Sequence, residues 1–118
     1  MTTQELVERW FDCWANGQLN DLPIAPHFQH TSPYGTINGK AAYMELVNAN
    51  RDKFLGNRFE LHNALYEANS ACVRYTMRSG DFVLPASEWF FVANGAIERI
   101  VSYYNIEGEV SETRKLKQ

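Results

Sequence analysis

The sequence predicts an α+β domain in which helices cover one face of a single curved antiparallel sheet. Three observations carry that expectation. Apolar residues recur at helical spacing in two stretches before Asn57, and alternate with polar ones after it. Turn-forming clusters at Glu67 to Ser70, Ser79 to Asp81 and Asn94-Gly95 cut the second half into short strands. Of these, Asn94-Gly95 is the strongest, because both residues tolerate the left-handed backbone that a two-residue hairpin requires. A chain of 118 residues suits one domain. We therefore expect a single domain over residues 1–118, with an ordered core over about 3–106 and a polar tail over 107–118.

The first helix is expected over residues 4–16. Thr2 and Glu5 have the spacing of a capping box, and Leu6, Val7, Trp10, Phe11, Cys13 and Trp14 form its apolar face. Gly17 is free to close the helix in a left-handed cap. Residues 18–26 contain Pro23 and Pro26 and leave room for one helical turn at most. A strand follows from His27 to Ser32. Phe28, His30 and Ser32 share one face of it, and His27, Gln29 and Thr31 the other. Pro33, Tyr34 and Gly35 make a turn. The second helix is expected over residues 39–54, with Tyr43, Leu46, Val47, Asn50 and Phe54 as its stripe.

From Asn57 the period falls to two. Phe59, Leu61, Asn63 and Leu65 are expected on one face, with Arg58, Glu60, His62 and Ala64 on the other. Val73, Tyr75 and Met77 alternate with Arg74, Thr76 and Arg78. Ser87 to Ala93 is an aromatic strand, and Ile97 to Ile106 is the last strand. His62 and Arg74 are expected to point outward.

Several function classes are excluded. Net charge is −3, from 11 basic and 14 acidic residues, with no basic stripe; nucleic acid is not an expected partner. The short basic run near Arg114 reads as a solvated tail. No apolar run approaches the roughly 20 residues that span a bilayer, so no membrane is expected either. The N-terminus lacks a charged-then-apolar leader pattern. Cys13 and Cys72 read as reduced thiols, which points to the cytoplasm. The three His are too scattered to suggest a metal site. The aromatic share is 14% (three Trp, six Tyr and seven Phe). Such rigid, bulky rings fill a core or line a cavity.

Three stretches resemble one known superfamily. Residues 6–22, LVERWFDCWANGQLNDL, are similar to its first helix and following Gly-x-Leu turn. Residues 30–42, HTSPYGTINGKAA, resemble the stretch that opens its long helix. Residues 88–104, EWFFVANGAIERIVSYY, resemble its aromatic hairpin with an Asn-Gly-x-Ile turn. The superfamily is the nuclear transport factor 2-like one, and the resemblance points to its SnoaL-like branch of polyketide cyclases and ketosteroid isomerase-like proteins. It implies a cystatin-like cone, with the curved sheet packed against a long helix and enclosing an apolar pocket. It also implies pairing of two copies through the convex sheet face, where Val101 and Tyr103 of the last strand would lie. No cofactor is implied.

A ketosteroid isomerase needs a carboxylate base and an oxyanion hole of Tyr and protonated Asp. By register, those positions fall at Ser32, Trp10 and Ser87, none of which can do that work. His30 is the remaining acid–base candidate: it shares the face of Ser32, and an ordinary imidazole pKa of about 6.5 suits proton transfer near neutrality. The other reading is a wall histidine with its ring hydrogen-bonded. Ser32, Tyr34 and Ser87 are candidates to orient a ligand, or to serve as locally bonded core polar groups. Trp10, Trp14, Phe28, Tyr43, Val47, Tyr75, Trp89, Phe91 and Tyr104 are expected to line or close the cavity. Asn105 stands where the resemblance leads one to expect Asp, and an amide does not titrate.

The expectation is a protein that binds a small apolar or weakly polar organic ligand, as an isomerase, lyase or hydrolase using His30 as acid–base group. The alternative is a non-catalytic dimeric binding module of the same fold, and the two readings remain open on sequence.

Overall fold

A computed structural model describes residues 1–104. Asn105, Ile106 and the tail over 107–118 lie outside the described residues. Helix α1 (Thr3–Asn16) begins with the capping box, Thr2 and Glu5 bonding each other's backbone, and ends at Gly17 with φ of 72°. A single 3-10 turn follows at Leu19–Asp21. Then come β1 (Ile24–Ser32), β2 (Gly35–Asn38), α2 (Lys40–Ala49) and a short α3 (Arg51–Phe54). Four long strands complete the domain: β3 (Arg58–Tyr66), β4 (Ser70–Ser79), β5 (Phe82–Ala93) and β6 (Ala96–Tyr104).

The strands form one sheet in the order β2-β1-β6-β5-β4-β3. The meander β3 to β6 is antiparallel, as its turns predict. Its last turn has Asn94 at φ 52° and Gly95 at φ 74°, the mirror-image geometry of a two-residue hairpin. The sheet is nevertheless mixed, because β1 lies parallel to β6. An all-antiparallel reading missed this, since helices and β2 intervene between the two strands and sequence distance says nothing about which edge β1 joins. Strand β2 was also missed: it is short, and pairs with β1 through the Pro33-Tyr34 turn, with Gln29–Asn38 and Thr31–Thr36 side-chain hydrogen bonds across the pair. The expected second helix breaks at Asn50, whose φ of −122° leaves the helical region.

The core lies between the sheet and the helices. Val7, Trp10 and Phe11 of α1, Tyr43 and Val47 of α2, and Val73, Phe90, Ile97 and Ile100 of the sheet are all buried in it. Phe11 packs edge-to-face on Tyr75 and Phe90, with centroids 5.1 and 6.0 Å away. Such pairs add to the area each ring removes from water.

Two register details reverse expectations. A bulge between Leu61 and Asn63 shifts β3 by one residue. Beyond it Asn63 and Leu65 turn to the outer face, and Leu65 is 75% exposed. In β5, Ala86, Glu88, Phe90 and Val92 face the core, whereas Ser87, Trp89 and Phe91 face away.

Candidate functional site

Between the sheet and the helices lies a cavity of about 490 Å³, lined chiefly by apolar and aromatic side chains. That volume suits a small organic ligand. Helix α1 contributes Trp10 and Trp14; α2 contributes Tyr43 and Val47; β1 contributes His30 and Ser32; and Tyr75, Tyr104 and Tyr34 complete the expected lining residues that reach it. Tyr34 is half exposed and stands against Tyr104, with ring centroids 6.0 Å apart. These two rings mark the rim.

Four expected lining residues are absent from the wall. Phe28 shares the face of His30 as predicted, but it sits fully buried behind the cavity, against Trp10 and Tyr43. Ser87, Trp89 and Phe91 lie on the opposite face of the sheet. Phe91 lies beneath the guanidinium of Arg99, 4.2 Å from the ring centroid. The error has a physical cause. Trp89, Phe90 and Phe91 are consecutive aromatics, both faces of β5 are apolar, and alternation alone cannot say which face is inside.

Correcting that register brings in a residue the sequence reading passed over. Glu88 lines the cavity and is 4% exposed. The hairpin pairing accounts for its orientation. Ile97, just past the Asn94-Gly95 turn, is buried and pairs with Val92; counting back by twos from Val92 reaches Phe90 and then Glu88. The general tendency of Glu to stay in water argued against it.

Ser102, also buried, lies opposite Glu88 and donates its hydroxyl proton to Glu88 Oε2 at 2.6 Å. Its Oγ is 3.4 Å from His30 Nε2. The Tyr75 hydroxyl also hydrogen-bonds Glu88. His30, Ser102, Glu88 and Tyr75 thus form one polar cluster on an otherwise greasy wall. No described residue hydrogen-bonds His30 Nδ1. Ser32 is engaged locally, accepting from the Tyr34 backbone N–H at 3.2 Å.

The electrostatics follow from burial. His30 stands against Tyr43, with centroids 5.2 Å apart. Loss of water disfavours its imidazolium and brings the pKa down to about 4. Burial likewise raises the Glu88 carboxyl above its usual range, opposed by the hydrogen bonds from Ser102 and Tyr75. The Tyr43 and Tyr75 phenols are pushed upward, first by burial and then by Glu88. At neutral pH the cavity therefore offers a neutral imidazole and un-ionised phenols.

The other histidines stand elsewhere. His27 pairs with Glu98 at the surface, and His62 bonds the Thr76 hydroxyl at 2.8 Å. Arg74 points outward, as expected, onto Asn63. Among the described residues no group of three or more His, Cys, Asp or Glu is placed to hold a metal ion. No helix among them is long and apolar enough to cross a membrane.

A curved mixed sheet closed by helices over an apolar cavity defines a nuclear transport factor 2-like protein, a small-molecule-binding fold. The chain belongs to the SnoaL-like domain family, whose sequence profile matches residues 7–100. None of the curated proteins matches it. Among solved structures, it is similar to an NTF2-like protein of unknown function from Cytophaga hutchinsonii, with a TM-score of 0.76 and 19% identity over 89% of this chain and 91% of that one. A candidate ketosteroid isomerase of Kribbella flavida also gives a TM-score of 0.76 at 19% identity, over 99% and 90% of the two chains. A candidate polyketide cyclase of Pseudomonas putida gives 0.74 at 21% identity, over 89% and 92%. At such identities the likeness is one of fold.

Proposed function

We propose that this protein binds a small, largely apolar carbonyl compound in its cavity and moves a proton on it, as an isomerase or lyase does, with His30 as the acid–base group. The observation that carries this reading is His30 on an apolar cavity wall, kept neutral by burial, with Nε2 3.4 Å from Ser102 Oγ and no described residue bonded to Nδ1. A base must be unprotonated at working pH and within reach of the proton it takes. Here the carbon–hydrogen bond α to the carbonyl breaks, its electron pair moves to the carbonyl oxygen as an enolate, and the proton passes to His30 Nδ1. Return of that proton to carbon completes the transfer. Ser32 and Tyr34, near the rim, orient the ligand; Ser87 faces away from the cavity and drops out of that role. The candidate activities of the Kribbella and Pseudomonas relatives concern the same kind of ligand.

The test needs no knowledge of the natural substrate. Exchange of the α-protons of 2-tetralone for deuterium is followed by NMR in D2O at pH 7.5, with wild type and with His30→Gln. The expected result is saturable exchange by wild type, reduced roughly 100-fold or more in the variant with tetralone binding retained. Equal exchange by the two proteins would overturn the acid–base role and leave a binding module.

We also place two copies of the chain together through the outer sheet face. One row of that face runs Leu65, Cys72, Trp89 and Val101 across four strands, with Tyr103 beside it. Trp89 is 46% and Tyr103 59% exposed. An apolar row of that kind is costly to leave wet, and a two-fold pair would bury it by setting that face of one copy against the same face of another. Free thiols at Cys13 and Cys72 support a cytoplasmic location.

A further inference from the structure

The cavity wall holds a buried carboxyl that the proton transfer above does not use. Among the described residues Glu88 reaches His30 through Ser102, whose Oγ is 2.6 Å from Glu88 Oε2 and 3.4 Å from His30 Nε2. A hydroxyl has one proton to donate and lone pairs to accept with, so it can stand between two groups in either of two senses. We infer that Ser102 is a two-way bridge through which the protonation state of Glu88 decides which ring nitrogen of His30 carries the proton and which is offered to the ligand. Glu88 and Ser102 are then positioning residues that act through His30. This inference rests on the reading of the cavity as the site of proton transfer.

The two senses balance as follows. With Glu88 ionised, Ser102 donates to Glu88 and accepts from His30 Nε2–H, so Nδ1 keeps its lone pair toward the ligand. With Glu88 protonated, the carboxyl donates to Ser102, Ser102 donates to the Nε2 lone pair, and the ring proton moves to Nδ1. Nδ1 is a base in the first state and a donor in the second. When Nδ1 takes a proton from a ligand in the first state, the chain can relay the Nε2 proton to Ser102 Oγ while the Ser102 proton passes to Glu88. No net charge is then left on the imidazole, which matters because burial disfavours the imidazolium. The 3.4 Å step is long for a hydrogen bond; such contacts commonly shorten when a ligand fills the site.

The other titratable groups facing the cluster are Tyr43 from α2, Tyr75 from β4 and Tyr104 from β6. No Lys or Arg lines the cavity among the described residues. The Tyr43 and Tyr75 phenols titrate well above the range in question. Glu88, raised above the usual carboxylate range, therefore titrates before His30 as pH falls toward about 4.

The ring nitrogens can be watched directly. Long-range proton–nitrogen NMR on histidine-labelled protein gives the Nε2–H to Nδ1–H ratio of His30 between pH 8 and 4.5. The expected result in wild type is Nε2–H at high pH and a shift of roughly tenfold toward Nδ1–H, the ratio set by about one hydrogen bond, before the ring itself protonates. Glu88→Gln, which keeps the shape and cannot titrate, should abolish the shift, and Ser102→Ala should do the same. A wild-type ratio that does not move with pH, or a shift that persists in Glu88→Gln, overturns the bridge. This readout is independent of turnover, so failure of tetralone exchange and failure of the bridge are told apart.

Discussion

Glu88 and Ser102 face each other across the β5–β6 ladder, and a 2.6 Å hydrogen bond joins them inside an apolar cavity. A carboxyl placed there loses nearly all its water. Ser102 and Tyr75 supply part of what water would have given, and burial still raises its pKa. Buried polar groups of this kind weaken a core unless something else requires them.

The two titrating groups make opposite contributions to stability against pH. His30 has its folded pKa lowered from 6.5 to about 4. Its contribution is complete above pH 6.5 and is lost as pH falls toward 4, a change of about 3 kcal/mol. Glu88 is raised, so its contribution is present at acid pH and lost as pH rises through its folded value. Urea unfolding at pH 7.5 and 4.5 should show His30→Gln removing much of the acid loss, and Glu88→Gln raising stability at pH 7.5 relative to pH 4.5. Parallel pH profiles for wild type and both variants would contradict these environments.

Phe28 holds the site from behind. Its ring is fully buried and packs 5.0 Å from Tyr43 and 6.2 Å from His30, centroid to centroid. Truncation to Ala removes a large core side chain and leaves a void, at a cost of about 3–5 kcal/mol. Chemical denaturation should show that loss, whereas truncating Trp89, which is half exposed, should cost the monomer much less. A cost below 1 kcal/mol for Phe28→Ala would mean the core repacks without it.

The outer face gives a third expectation. Wild type should scatter light as a dimer at micromolar concentration. Trp89→Arg places a charge in the middle of the apolar row beside Val101 and Cys72, and should yield a folded monomer. A monomeric wild type, or a dimer unaffected by the substitution, would place the interface elsewhere or remove it.

Much of this protein was legible from its residues in order. The capping box at Thr2 and Glu5, the stripe of α1, the hairpin at Asn94-Gly95 and the face shared by Phe28, His30 and Ser32 are local patterns, set by backbone periods of about 3.6 and 2 and by the left-handed tolerance of Asn and Gly. The SnoaL-like family follows from the order of such patterns along the chain. What local pattern could not decide was which of two apolar faces of β5 is inside, where the bulge in β3 falls, and that β1 runs parallel to β6. Those depend on pairing between strands far apart in the chain, because a one-residue change of register moves every side chain to the other face. Glu88 is the clearest instance: as a residue in a list it belongs in water, and only the pairing of Val92 with Ile97 and of Glu88 with Ser102 turns it into the cavity beside His30.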